Sequence, residues 1–169
     1  EYELVAMKDV EKPEFKYLAV TEAFNTNNME CPSEVTKEMY LDYVQKGVGI
    51  KIENIYYDLD KYFIRPDAAI ELDKIVKIMK DNPTMEIELG SHTDCRASWA
   101  YNEKLSTNRA KAAVEYIVTR VISASIMTWK GYGESQLVNG CACEPTNTSP
   151  CSEAEHQMNR RTEFKILKF

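Results

Sequence analysis

The sequence predicts an α+β domain: a two-layer sandwich in which a mixed sheet, in the order β-α-β-α-β-β, carries two long helices on one face. Three observations predict it. Apolar residues alternate with polar ones around Ile50 and Ile52, through Met85, Ile87 and Leu89, and through Thr162, Phe164 and Ile166, the period of half-buried strands. They recur at helical spacing in Leu72, Ile75, Val76 and Met79, and again in Ala113, Val114, Ile117 and Val118. The two kinds of segment follow one another in turn, which implies helices packed on a small sheet, and right-handed crossovers place both helices on the same face.

Taken in order, residues 1–48 show no sustained period. Tyr2, Leu4 and Val5, then Tyr17, Leu18 and Val20, suit short strands, while Thr26-Asn27-Asn28 and Cys31-Pro32-Ser33 read as turns. We take 1–48 as a linker or the tail of a preceding module and 49–169 as the domain. A strand over 48–57, with Ile50, Ile52, Ile55 and Tyr57, leads into the polar loop Asp58-Leu59-Asp60-Lys61. Pro66 opens the first helix, where its missing N–H costs nothing; Asp67 and Glu71 sit near its positive end, and Asn82-Pro83 ends it. A strand over 85–89 gives way to a loop from Gly90 to about Ser98. The second helix covers 101–121, with Leu105, Ala113, Val114, Ile117, Val118 and Val121 along one side; Ser106 is an alternative N-cap. A third strand over 125–132, a short helix over 153–157 and a last strand over 161–167 complete the chain.

The 169 residues suit one domain with an appendage. An apolar fraction of 44% is enough for a core, and a net charge of −6 argues against a chain-wide nucleic-acid surface. No run of about 18 apolar residues suggests a membrane span, and no signal peptide is visible. The chain starts at Glu1 rather than Met, so we expect a fragment of a longer protein. Of five cysteines, Cys141, Cys143 and Cys151 crowd a Pro/Asn/Thr/Ser-rich stretch over 139–152, which points to disulfides and an oxidising compartment. Cys143–Cys151 with Cys141–Cys95 is one pairing and Cys141–Cys151 an open alternative; Cys31 has no assigned partner. Cys141, Cys143, Cys151 and His156 lack the paired C-x-x-C spacing of a zinc site, so no metal is expected.

Three polar segments interrupt the regular pattern: Asp58-Leu59-Asp60, Ser91-His92-Thr93-Asp94 and Asn159-Arg160-Arg161, with Asn102, Leu105, Ser106 and Arg109 on the second helix. In an α/β layout such loops gather at one sheet edge, where ligands bind. Asp94 offers a carboxylate to an ammonium, and Arg109 a planar fork to a carboxylate. Together they suit a zwitterionic amino-acid end, with helix N-terminal amides assisting. Two or three such bonds imply affinity on the order of micromolar to millimolar. The alternative is a purely structural ion pair. No Gly-x-Ser-x-Gly elbow accompanies Ser98 or Ser106, so no enzyme is expected; His92 reads as structural. Gly131-Tyr132-Gly133 lacks the third glycine of a dinucleotide fingerprint. Trp99 and Tyr101 are either rim contacts or core.

Five segments in order, Ile55-Tyr56-Tyr57-Asp58-Leu59-Asp60-Lys61-Tyr62, Ser91-His92-Thr93-Asp94, Tyr101-Asn102…Leu105-Ser106…Arg109-Ala110, Gly131-Tyr132-Gly133 and Asn159-Arg160-Arg161, resemble the OmpA-like domain. That domain also occurs in peptidoglycan-associated lipoproteins and flagellar stator proteins, and the resemblance covers about residues 50–169. It implies non-enzymatic, cofactor-free binding of the diaminopimelate residue in the peptidoglycan stem peptide. Carried over by position, Asp94 takes an ammonium and Arg109 a carboxylate, Leu105 meets the aliphatic part, and Asp60, Thr93, Asn102 and Arg160 complete the pocket; Asn159 and Arg161 rank lower. Ser91 and Ala97 stand where the family usually has glycine. The Cys-rich insertion resembles Bacteroidetes outer-membrane versions, some of which end lipoproteins of type IX secretion. The resemblance therefore implies a periplasmic anchor, tied to the outer membrane through its parent and to other outer-membrane or secretion proteins. The alternative is a protein–protein docking module with no wall ligand.

Overall fold

The computed structural model describes residues 2–9, 12–25, 27, 36–52, 55, 63–120, 122–143 and 148–169. Within them the strands are β1 (Tyr2–Ala6), β2 (Phe15–Tyr17), β3 (Val20–Phe24), β4 (Tyr43–Gln45), β5 (Gly49–Ile52), β6 (Glu86–His92), β7 (Met127–Gly133) and β8 (Thr162–Lys168). The helices are α1 (Pro66–Asp81), α2 (Trp99–Val118) and α3 (Glu153–Asn159). The main sheet has the order β5-β8-β6-β7. β6 and β7 run parallel, while β8 is antiparallel to both β5 and β6. Parallel neighbours need a long crossover, and α2 supplies it, packing on β6 and β7 while α1 packs on α2. This is the mixed sheet with two long helices that the periodicities imply.

The core lies between the helices and one sheet face. Leu72, Ile75, Val76 and Met79 of α1 and Ala113, Val114 and Ile117 of α2 meet Ile87, Leu89, Phe164 and Ile166. β8 alternates as its sequence does, with Thr162, Phe164 and Ile166 buried and Glu163 and Lys165 half-buried.

Several boundaries differ from the sequence reading. β6 continues through Gly90, Ser91 and His92 rather than ending at Leu89. It is a central strand, and these residues still have partners on both sides: Gly90 faces Lys130 and Glu163, and Ser91 faces Gly131 and Thr162. Gly90 is required there, because the Tyr132 ring lies where a side chain would start; a Cβ would come within 2.9 Å of it. α2 begins at Trp99, capped by Ser98, whose oxygen accepts from the Tyr101 amide at 3.4 Å. Ser106 is therefore a buried mid-helix residue and not a cap; its hydroxyl donates to the Glu103 carbonyl and accepts from the Gly133 amide, both at 2.9 Å. Leu105 is half-buried and Val118 exposed, so neither belongs to the buried stripe. A 3-10 turn, Ala124–Ile126, precedes β7. Tyr57, Val121 and Cys31 lie outside the described residues.

The first part of the chain forms two small antiparallel sheets, β1 with β3 and β2 with β4. Leu18 and Val44 join the main core. Asn82, which ends α1, also ties this segment down. Its side chain accepts from the Ala19 amide at 2.8 Å and donates to the Ala19 carbonyl at 3.1 Å and the Ile78 carbonyl at 2.9 Å. Lys77 and Asp81 add bonds to the Thr21 backbone at 2.7 and 3.1 Å.

On the other sheet face, His92 stacks on Tyr132 with ring centres 4.9 Å apart. It is 2% exposed, and neither ring nitrogen has a hydrogen-bond partner among the described residues. Burial, reinforced by the Arg161 charge, lowers its pKa to about 4.

Two outcomes follow. Asn82→Ala should lower the unfolding free energy by about 1–3 kcal/mol in urea titration, because it removes three side-chain hydrogen bonds to the half-buried backbone of Ala19 and Ile78. His92 should make stability depend on pH. Its folded pKa, about 4, lies below the ordinary value of 6.5, so the unfolded chain binds the proton first. The His92 contribution is full above the ordinary value and falls as pH drops towards the folded one, by at most about 1.4 kcal/mol per pH unit. Denaturation between pH 5 and 6.5 (roughly the window in which carboxylates stay ionised) should show this slope, and His92→Phe should flatten it.

Candidate functional site

The sheet brings the polar segments to one edge through strand direction. β6 ends there at His92, β7 ends there at Gly133, and antiparallel β8 starts there at Thr162. Backbone bonds carry the ladder past the last side-chain pair: the His92 amide donates to the Arg161 carbonyl and the Thr93 amide to the Gly133 carbonyl, both at 2.9 Å. Asp94 follows at once, its carbonyl accepting from the Asn102 side chain at 3.1 Å. That bond ties the β6 end to α2.

A cleft of about 590 Å³ opens at this edge. Six of the seven residues singled out from sequence line it: Thr93, Asp94, Asn102, Leu105, Arg109 and Arg160. The seventh, Asp60, lies outside the described residues. Arg96, Ala97, Tyr101, Glu153 and Gln157 complete the lining. A smaller hollow of about 60 Å³ adjoins it behind Arg109 and Arg160, against His92 and Arg161.

The charges in the cleft are paired with one another. Asp94 Oδ2 accepts from Arg96 Nε at 3.2 Å, Arg96 Nη2 at 2.8 Å and Arg160 Nη1, while Oδ1 accepts from the Arg96 amide at 3.1 Å. Glu153 accepts from Arg96 Nη1 at 2.7 Å and from Arg160 Nη2. Two carboxylates and two guanidiniums thus form a closed ring, with Arg109 as a further positive charge in the same lining. Burial pushes the Asp94 carboxyl up, but the Arg96 and Arg160 hydrogen bonds outweigh it and hold the group below the usual carboxylate range. Asp94 is 8% and Arg109 7% exposed. Thr93 Oγ1 is buried with no hydrogen-bond partner among the described residues.

Arg96 and Glu153 were not singled out from sequence. Arg96 carried a signal, two places after Asp94 in the same loop. Glu153 carried a weaker one: Ser152 and Glu155 form a capping box, so Glu153 had to sit in the first turn of α3. The expected helix N-terminal amides do not serve Arg109. It stands ten residues into α2, roughly 15 Å along the axis from the helix start. Asn159 and Arg161 hold structure instead. Asn159 accepts from the Val138 amide at 2.8 Å and donates to Asn139 at 2.7 Å. Arg161 donates to Glu163 at 2.6 Å and to the Gln136 carbonyl at 3.1 Å. Neither Trp99 nor Tyr101 is core: Tyr101, 42% exposed, lines the cleft, whereas Trp99, 57% exposed, does not and faces a separate hollow.

The cysteines staple this site. The disulfides are Cys95–Cys143 and Cys141–Cys151, with Cα separations of 5.4 and 5.8 Å. The pairing of Cys143 with Cys151 is thereby replaced by the alternative: Cys143 lies within bridging distance of Cys95, and Cys141 of Cys151. One bridge starts beside Asp94, and the other ends beside Ser152, the cap of α3. Cys141, Cys151 and Glu155 lie close together, but both sulfurs are consumed by the disulfide and offer no thiolate to a metal.

Residues 56–149 match the OmpA family. The chain is 35% identical over 78% of its length to a photosystem I P700 chlorophyll a apoprotein A2 of Gloeobacter violaceus, but spans only 15% of that protein. It is 32% identical to the peptidoglycan-associated lipoprotein of Rhizobium meliloti, over 53% of this chain and 51% of that one. The chain therefore spans about half or less of these relatives. Among solved structures, the peptidoglycan-associated lipoprotein of Burkholderia pseudomallei superposes with a TM-score of 0.57 at 22% identity, over 66% of this chain and 87% of that one. The cell wall anchor of the T6SS from Pseudomonas aeruginosa gives 0.55 at 21% identity, over 72% and 80%. At those identities the likeness to the two structures is one of fold. Because the matched segment spans more than half of the chain, and contains the strand end and helix that build the cleft, the chain belongs to the OmpA family.

Proposed function

We propose that this domain binds the peptide stem of peptidoglycan without cleaving it and so anchors a larger protein to the cell wall. The observation that carries the reading is the cleft itself, where Asp94, Arg109 and Arg160 line one hollow at the sheet edge. The relatives named for association with peptidoglycan or the cell wall support it.

The ligand chemistry that suits the cleft is diaminopimelate, whose free end bears an ammonium and a carboxylate on one carbon. Asp94 takes the ammonium and Arg109 the carboxylate. Leu105, half-buried on α2, meets the aliphatic chain. The Thr93 hydroxyl, Asn102 and Arg160 supply the remaining polar contacts, and Asp60 is assigned to the same pocket. Asp94 already carries two guanidiniums, so the ammonium must displace one. Arg96 and Arg160 keep Glu153 as a second partner, so neither is left unpaired when the ring opens. Exchange of one ion pair for another gives modest net affinity, which suits reversible capture of a wall under constant remodelling. By this reading the domain works in the periplasm, attached to the outer membrane through its parent protein, with residues 1–48 as the connection. The Cys-rich insertion favours a parent of the Bacteroidetes type IX secretion kind. A protein–protein docking module is the second reading, favoured by the self-paired ring, which is also what a structural charge cluster looks like.

Calorimetric titration with a diaminopimelate-containing stem peptide separates the two. The wild-type protein should bind saturably, and Asp94→Ala and Arg109→Ala should each weaken binding by about 10- to 150-fold, the worth of one charge-assisted hydrogen bond. Circular dichroism checks that the variants fold. No binding by folded wild type, or unchanged binding in both variants, overturns the wall-ligand reading. Reduction should act on the same site. Opening the ten-residue Cys141–Cys151 loop removes about 2–3 kcal/mol of stability and frees the start of α3. Dithiothreitol opens both bridges, so urea titration in its presence should show at least that loss, and stem-peptide affinity should fall with it.

A further inference from the structure

A second hollow adjoins the cleft. Cys95, Trp99, Glu134, Ser135, Leu137 and Cys143 line it, and its volume is about 220 Å³. The wall shared with the cleft is a hydrogen bond, donated by Asn102, a cleft residue, to Glu134 of the hollow. Trp99 stands one helical turn before Asn102, so the two project from neighbouring positions on α2. Its indole is 57% exposed. The opposite wall is covalently fixed by the Cys95–Cys143 disulfide. The fold therefore holds a large aromatic face in solvent against a stapled wall, beside a carboxylate and a hydroxyl.

We propose that this hollow is a saccharide subsite, which takes a sugar ring of the glycan strand to which the bound stem peptide is attached. The proposal rests on the stem-peptide reading of the cleft. A pyranose ring has one face of C–H groups, which stacks on an aromatic face, and a rim of hydroxyl and acetamido groups. Glu134 accepts from Asn102 through one carboxylate oxygen, and among the described residues the other has no hydrogen-bond partner, so it is open to a sugar donor. Ser135 spends its proton on the Tyr132 carbonyl at 2.6 Å and keeps its lone pairs. A purely apolar partner would strand these groups; a sugar satisfies both kinds of wall. The reach is also right. Two stem residues separate the diamino acid from the sugar, a span of roughly 10 Å when extended, enough to pass from the cleft over the Asn102–Glu134 bond.

The test is calorimetry on the full chain with two probes, the free stem peptide and the same peptide carrying its N-acetylglucosamine–N-acetylmuramic acid disaccharide. Wild type should bind the disaccharide-peptide about tenfold tighter than the free peptide, the worth of one stacked aromatic contact. Trp99→Ala should erase that difference and leave free-peptide affinity unchanged; Trp99→Phe should restore most of it. Equal affinity of wild type for the two probes overturns the subsite, as does a difference that survives Trp99→Ala. The outcomes separate this proposal from the one it rests on. A wild type that binds only the disaccharide-peptide, through Trp99, refutes the stem-peptide pocket and supports the sugar subsite; one that binds neither refutes both.

Discussion

Ser91 and His92 of β6 stand between β7 and β8, paired with Gly131 and Gly133 on one side and with Thr162 and Arg161 on the other. This three-strand ladder decides where the chemistry lies. Because β6 is parallel to β7 and antiparallel to β8, two strand ends and one strand start coincide at a single edge. Asp94, Glu134 and Arg160 come from distant parts of the chain, yet each is the first or second residue beyond the ladder. Removing the pairing of even the last residues would let Asp94 and Arg160 drift apart.

Charge brought together in this way has to be satisfied. A buried carboxylate beside guanidiniums is tolerable only when paired, and Asp94, Arg96, Glu153 and Arg160 meet that demand among themselves. The charges of the cleft are therefore satisfied without a ligand. Under the proposed function a zwitterion enters by exchange, with Glu153, exposed at the head of α3, as the partner that holds the arginines once Asp94 is taken, and on that reading specificity for matched charges and modest strength have the same origin.

The loop between β7 and α3 has too few apolar residues to order itself by burial, and the disulfides do that work. They connect the residue after Asp94 to the residue before the α3 cap, so the two carboxylates of the ring stand on segments joined through covalent bonds. Asn159 and Arg161 complete the arrangement from beneath, pinning the loop backbone at Val138 and Gln136. The same loop walls the hollow under Trp99, so one insertion shapes both the cleft and its neighbour.

The elements were legible wherever local pattern and burial agree. Leu72, Ile75, Val76 and Met79 mark α1, and Thr162, Phe164 and Ile166 mark the inner face of β8, because periodicity is set by the geometry of the element that carries it. Asp94, Asn102 and Arg109 were legible as candidates for one edge because polar groups broke those periods next to strand and helix ends, and the structure brings them to one cleft. What depends on contacts between distant segments was not. Gly90-Ser91-His92 reads as a loop until partners appear on both sides; Ser106 reads as a cap until the Gly133 amide meets it; Asn82 reads as a helix stop until Ala19 docks on it. Arg96 and Glu153 gained their roles only when the disulfides and the antiparallel entry of β8 brought the Asp94 loop, Arg160 and the head of α3 to one edge. The sequence by itself determined the elements, their order and the charged residues of the edge, since these follow from backbone period and residue chemistry. The tertiary structure alone decided which charges pair, which cysteines join and which aromatic stays in water, since those outcomes depend on distances through space that no spacing along the chain encodes.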